Sequence, residues 1–346
     1  MPRVTAGGAP LGDKSNDRLH DRLNDRLGER LRRWRRTRAT ELVKQEAAGP
    51  RVDVRVVTDS TAYLPDSFVE QHRIEVIPLH VVVGGQELVE GRDIGAAEVA
   101  AALREYTIVT TSRPSPAMFA EVYARLVDEG ATHIVSVHLS SQMSGTYEAA
   151  ALAATEAPVP VEVIDSETIG MAMGFAVVAG AEVAAAGGEL DAVTEAIRER
   201  LGPSGVLFYV DTLEHLRRGG RIGAASALLG SALAIKPILA VRGGRIMPVE
   251  KVRTSSRAVA RIEAMVLDYV TKGGQRVDLA VHHLDAAARA EQIAARLQGR
   301  LPGSPEVLVV ELGAVVGAHV GPGTVAIAIS PRPGEPLPAS ATSPGP

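Results

Sequence analysis

The sequence predicts an α/β protein: a parallel sheet with helices on both faces, followed by a second α/β half built on an antiparallel or mixed sheet. Three observations carry this. Short β-branched runs alternate with Ala-rich stretches of helical length. Hydrophobic residues make up 46% of the chain but Phe, Trp and Tyr only 3%, so the core must be Ala, Val, Leu and Ile, which suit strand–helix alternation. The 346 residues, at ~150 per domain, leave room for two domains.

Residues 1–51 read as a basic extension, helical or disordered. Asp17-Arg18-Leu19, Asp21-Arg22-Leu23 and Asp25-Arg26-Leu27 repeat every four residues, so Leu19, Leu23, Leu27 and Leu31 share one helical face. The following Arg30 to Arg38, with Trp34 inside it, suits transient contact of residues 17–38 with an anionic membrane surface or an acidic partner; a charged, solvated extension is the plainer alternative. Residues 1–50 hold twelve Lys/Arg against seven Asp/Glu, or +5. The net −4 of the whole chain therefore leaves −9 for the rest, which argues against a nucleic-acid binder.

The first domain is expected over 52–166. Its strand candidates are Val54–Thr58, Glu75–Val83, His133–Leu139 and Val161–Asp165, with helices over Ala96–Arg104, Ala117–Glu129 and Gly145–Thr155 between them. The second, 167–331, opens with a helical stretch, Gly170–Ala186. Its strand candidates are Val206–Asp211, Ala234–Val241, Arg245–Val249, Val277–His283, Glu306–Val310 and Thr324–Ser330, and Arg242-Gly243-Gly244 reads as a hairpin turn. Pro331 to Pro346 contains six prolines in sixteen residues, so 332–346 is expected to be a disordered tail.

Ligands of parallel α/β sheets bind beyond the carboxyl ends of the strands, so the segments following them are where a site is sought. Thr58-Asp59-Ser60-Thr61 presents hydroxyls and a carboxylate there, with helix capping as the structural alternative. Thr110 to Pro116 is a hydroxyl-rich loop feeding a helix N-terminus, whose free N–H groups suit a carboxylate or phosphate. Ser140 to Tyr147 is a second such turn, with Ser144 where the helix begins. His215 to Gly223 ends a helix in glycines and places Arg221 where a guanidinium fork can meet a carboxylate. His319 lies in a small-residue loop, Gly317 to Gly323, that allows close approach of a ligand.

Other chemistry finds little support. With no cysteine there is no thiol nucleophile, disulfide or Cys metal site. His282, His283 and Asp285 mimic a metal cluster, but adjacent strand residues face opposite ways and no metal is expected. Neither a phosphate loop for nucleotides nor a placed dinucleotide fingerprint is present, and no cofactor is expected. Ser144 sits in Gln-Met-Ser-Gly-Thr, lacking the nucleophile elbow of a serine hydrolase. The longest apolar stretch, Met171 to Ala186, is broken by Glu182, and the first residues lack an apolar signal core, so a cytoplasmic protein is expected.

In order, V-T-D-S-T-A-Y-L-P (57–65), V-I-P-L (76–79), T-S-R-P-S (111–115), H-L-S-S-Q-M-S-G-T-Y (138–147), V-I-D-S (163–166), L-R-R-G-G-R-I (216–222), I-K-P-I (235–238) and G-A-H-V-G-P-G (317–323) resemble the DegV family of bacterial fatty-acid-binding proteins, over residues 54 to about 330. The resemblance implies a parallel three-layer α/β/α first domain and a second domain with a mixed sheet, a fatty acid between them, and a lipid-binding carrier rather than an enzyme. Carried over by position, the carboxylate is held by Thr111, Ser144, Arg221 and His319, with Ser112, Asp59 and Ser60 in support. The family is also similar to the carrier component of the bacterial fatty-acid kinase system, which presents its acid to a separate ATP-dependent kinase. By that analogy Arg253 matches a surface position facing the kinase. Arg113 departs from the family's commoner Gln.

Overall fold

The computed structural model describes residues 52–228, 235–303 and 305–337. The extension 1–51, including the membrane-contact candidate 17–38, and residues 338–346 of the expected tail lie outside them. The described residues fall within one compact unit.

The chain enters β1 (Val54–Asp59) and a single 3-10 turn, then α1 (Asp66–His72), β2 (Glu75–Ile77), β3 (His80–Val83), β4 (Gln86–Val89), α2 (Ala96–Arg104), β5 (Val109–Ser112), α3 (Pro116–Asp128), β6 (His133–His138), α4 (Thr146–Ala154) and β7 (Val161–Asp165). Strands β2-β1-β6-β7 form an all-parallel sheet, and every residue of β1 is buried, Arg55, Thr58 and Asp59 along with its valines. One expected strand, Glu75–Val83, is two. Pro78 has no N–H to donate to a ladder, and Pro78 and Leu79 belong to neither strand. Before it β2 pairs in the parallel sheet; after it β3 pairs antiparallel with β4 and β5 in a small sheet of three strands. The β3–β4 turn needs Gly84 and Gly85 because both have positive φ, 59° and 86°.

Next come α5 (Met171–Ala185), α6 (Leu190–Leu201), β8 (Gly205–Tyr209), α7 (Glu214–Arg218), a 3-10 stretch Gly223–Leu228, β9 (Lys236–Arg242), β10 (Arg245–Val252), α8 (Ser255–Gly273), β11 (Gln275–His283), α9 (Ala287–Arg300), β12 (Val307–Glu311), α10 (Ala314–Val320) and β13 (Val325–Pro336). The second sheet runs β10-β9-β8-β13-β11-β12; only β11 and β12 are parallel, so it is mixed. The turn at Arg242-Gly243-Gly244 closes the β9–β10 hairpin as the sequence predicts. β13 runs on to Pro336, past the Pro331 boundary expected for a disordered tail. It pairs there with β11 alone, so its proline nitrogens can face an open edge, and Arg332 clasps Asp278 at 2.6 Å.

Helix α5 is apolar all round because both of its sides are covered. It packs on β1 and β6 and, with α6, on β13. Met173, Ala176, Val177 and Ala181 enter one core with Val56, Val135 and Val137; Met171, Ala172 and Phe175 enter another with Val206, Phe208 and Ala328. Each fully buried Met, Val or Phe contributes roughly 1.5–3 kcal/mol. No helix among the described residues is long and apolar enough to cross a membrane.

Candidate functional site

Four segments place the site. β5 carries Thr111 and Ser112 to its end, held in register by the pairings His80–Ser112 and Val81–Thr111. Between β6 and α4 the turn Ser140–Gly145 supplies Met143 and Ser144. The turn after α7 supplies Arg221, and α10 supplies His319. His319 is thus on a helix, not in the small-residue loop expected. The run Ala314–Val320 forms seven helical residues, and the chain breaks only at Gly321, at φ 76°. Glycine here also gives clearance, since a Cβ at Gly219 or at Gly321 would collide with the ring of His319 or His215 respectively.

These residues meet. Thr111 Oγ1 and His319 Nε2 are 2.9 Å apart. Arg221 donates from Nε to the Met143 carbonyl (2.9 Å) and from Nη1 to the Gly219 carbonyl (2.7 Å). Ser144 and Thr146 share a hydroxyl hydrogen bond of 2.8 Å. Arg221 has no carboxylate partner among the described residues, and its half-buried position lowers its pKa from a value so high that it stays charged. Burial and then the Arg221 charge hold the His319 pKa at about 4, leaving a neutral ring at pH 7.

All four line one cavity, together with Ser112. The space between its walls, counted out to its open mouth, is about 870 Å³. Beyond the polar end its walls are side chains such as Leu79, Val206, Phe208, Val241, Ile246 and Ala326, drawn from both halves of the fold. Chemically the arrangement suits an amphipathic molecule: an anion among hydroxyls and a guanidinium, and an apolar chain between the apolar walls.

Asp59 and Ser60 do not line the cavity; they build its wall. Asp59 accepts from Thr61 N (3.0 Å), Leu139 N (3.0 Å) and His138 Nδ1 (3.1 Å), the capping role that competed with a ligand role in the sequence. Ser136 and Tyr123 continue this fully buried chain through His138 Nε2. Ser60 accepts from Leu79 N and donates to Glu90, a buried carboxylate that receives Val315 N at 2.8 Å and so anchors the start of α10. Arg253 is exposed between β10 and α8.

Sequence reasoning missed three lining residues. Tyr63 is held at φ 50°, its hydroxyl accepts from Val316 N (3.3 Å), and its ring meets His282 edge-on at 5.9 Å. His282 Nε2 accepts from Met171 N at 3.0 Å, and full burial pushes its pKa down to about 4. Thr324 donates to the carbonyls of Val320 and Gly321. Tyr63 stood five residues from Thr58 in a run already singled out, which was the available signal. Among the described residues no three His, Asp or Glu side chains converge as metal ligands.

Fold and site together define an α/β protein of one parallel, one mixed and one small antiparallel sheet, with a largely apolar cavity that carries hydroxyl groups and a guanidinium at one end. A family model described as an uncharacterised protein family, DegV, matches residues 53–332, and the chain belongs to the DegV family. A DegV domain-containing protein of Streptomyces coelicolor is 53% identical over 279 residues, which are 81% of this chain and 99% of that one. Two solved structures superpose with a TM-score of 0.74 each, covering 81% of this chain and 100% of the other: a DegV family protein from Thermus thermophilus described for its fatty-acid binding (34% identical) and DegV, a fatty-acid-binding protein from Bacillus subtilis (33% identical).

Proposed function

We propose that this chain binds a single long-chain fatty acid, with its carboxylate among Thr111, Ser144, Arg221 and His319 and its tail in the apolar cavity. The observation that carries the reading is Arg221, a half-buried guanidinium with no carboxylate partner among the described residues, set at the polar end of an otherwise apolar cavity. A dozen buried methylenes at ~0.8 kcal/mol each contribute on the order of 10 kcal/mol, enough to offset the cost of association. The carboxylate exchanges water for hydroxyl and guanidinium donors, which removes the several-kcal/mol cost of burying it bare. The fatty-acid binding described for the Thermus and Bacillus relatives supports this reading.

The chain acts as a carrier in this proposal, not as an enzyme, and works without a cofactor in the cytoplasm. It presents its acid to a separate ATP-dependent kinase for acyl-phosphate formation, with exposed Arg253 as one contact. Acyl transfer through Ser144 is less well supported, because Ser144 bonds Thr146 while His319 bonds Thr111, so no nucleophile–base pair is formed. The test is denaturing extraction of purified protein and mass spectrometry. One equivalent of a long-chain acid in the wild type and a reduced amount in Arg221→Ala is the expected result; a wild type still empty after exposure to fatty acids would overturn it.

A further inference from the structure

Arg113 is the residue at the polar end that the fatty-acid reading leaves unused. It follows Ser112, the last residue of β5, and precedes the capping Ser115 of α3. Its side chain is laid over the backbone of Gly145, the residue after Ser144. A Cβ built on Gly145 would stand 2.7 Å from Arg113 Nη1, 2.8 Å from Cδ and 3.3 Å from Cζ. Gly145 lies at φ −80°, ψ 20°, a conformation open to any residue, so what glycine provides there is clearance for this guanidinium.

Arg113 is exposed, lies outside the cavity lining, and has no hydrogen-bond or ion-pair partner among the described residues. Arg221, inside, likewise has no carboxylate partner there. Two such guanidinium groups therefore stand at the polar end, one within the cavity and one at its rim. A neighbouring carboxylate, Glu87, already receives the Ser112 hydroxyl (2.5 Å) and faces His80 (3.4 Å). A monoanionic carboxylate seated between Thr111 and Ser144 uses one positive charge. A head group with two negative charges extends further out and uses both.

We infer that Arg113 sets the head-group charge preference of the site, favouring a single-chain amphiphile whose head carries two negative charges over one carrying a single charge. This rests on the fatty-acid reading and sharpens it. The neutral His319 ring adds no competing cation.

The test measures dissociation constants by calorimetry at about pH 8, above the second phosphate ionisation near 6, for palmitate, hexadecyl phosphate and 2-tetradecylmalonate. Wild type, Arg113→Gln and Gly145→Ala are compared. The readout is the ratio of dianion to palmitate affinity. In Arg113→Gln that ratio is expected to fall about fivefold, the effect of roughly 1 kcal/mol at an exposed ion pair. Gly145→Ala keeps the charge but lifts the guanidinium off its seat, and is expected to lower the ratio as well. A fall for hexadecyl phosphate alone identifies a phosphate head, and a fall for both identifies charge itself. Palmitate bound with the ratio altered less than twofold in Arg113→Gln overturns the inference alone; no binding of any ligand by the wild type overturns the fatty-acid reading and the inference with it.

Discussion

The buried His282 makes the protein acid-sensitive well above the pH at which its carboxylates are neutralised. In the fold its pKa is about 4; in the unfolded chain it returns to the ordinary 6.5. Burial disfavours the imidazolium, and the Met171 N–H pointing at Nε2 requires a lone pair there, not a proton. The sign follows from the depressed value: the native contribution is complete above pH 6.5 and is lost as the pH falls towards 4, because the unfolded chain takes up a proton that the folded one refuses. At ~1.4 kcal/mol per pH unit the full loss is roughly 3 kcal/mol, and about 2 kcal/mol of it is gone by pH 5. Urea unfolding at intervals from pH 7.5 to 5, wild type against His282→Gln, isolates this part. Glutamine offers a carbonyl to Met171 N but does not titrate in this range. The wild type should lose about 2 kcal/mol more than the variant across the interval. Parallel pH profiles would refute the reasoning.

Gly219→Ala leaves an allowed backbone at φ −74° but drives a methyl into the His319 ring; it should cost ~1–3 kcal/mol as overpacking and weaken fatty-acid binding by breaking the Thr111 contact, read by thermal melting and by titration. Ala326→Leu puts three extra carbons into the cavity wall; displacing two or three methylenes at ~0.8 kcal/mol each should shift preference towards shorter acids, seen in the chain lengths co-purifying with the variant. Glu90→Leu strips the start of α10 of its buried acceptor and should destabilise the fold by ~1–3 kcal/mol in denaturant titration, whereas Glu90→Gln, which keeps a carbonyl for Val315 N, should lose less.

Much of the fold was legible because single segments declare themselves. The valines of β1 and the paired glycines of the β9–β10 hairpin leave few alternatives. The small β4-β3-β5 sheet was not legible: Gln86–Val89 and Val109–Ser112 are four residues each, too short for alternation to stand out, and their partner β3 read as one strand with β2. The candidate site divides in the same way. Thr111, Ser144, Arg221 and His319 come from loops and ends with glycine or hydroxyl signatures, and one cavity gathers them. Tyr63 carried no role of its own in its run and His282 was weighed only as a metal ligand, since their part in the cavity depends on how two sheets face each other across α5. Asp59 had two readings in the sequence, and only its four hydrogen-bond donors decide for the wall.

The turn between β6 and α4 is also a seam between the two sheets. Ser140 donates to the Gly244 carbonyl (2.8 Å), Arg245 grips Gln142 with Nε and Nη2 (3.0 and 2.6 Å), and Met143 receives Arg221. The stitches outside the cavity involve none of the groups proposed to hold the acid, yet they fix the turn that carries Ser144 into the site. Loosening Gln142 or Arg245 would therefore soften the frame of the site while sparing its polar clamp. A site of this build can be retuned from outside, at the seam, with its polar clamp unchanged.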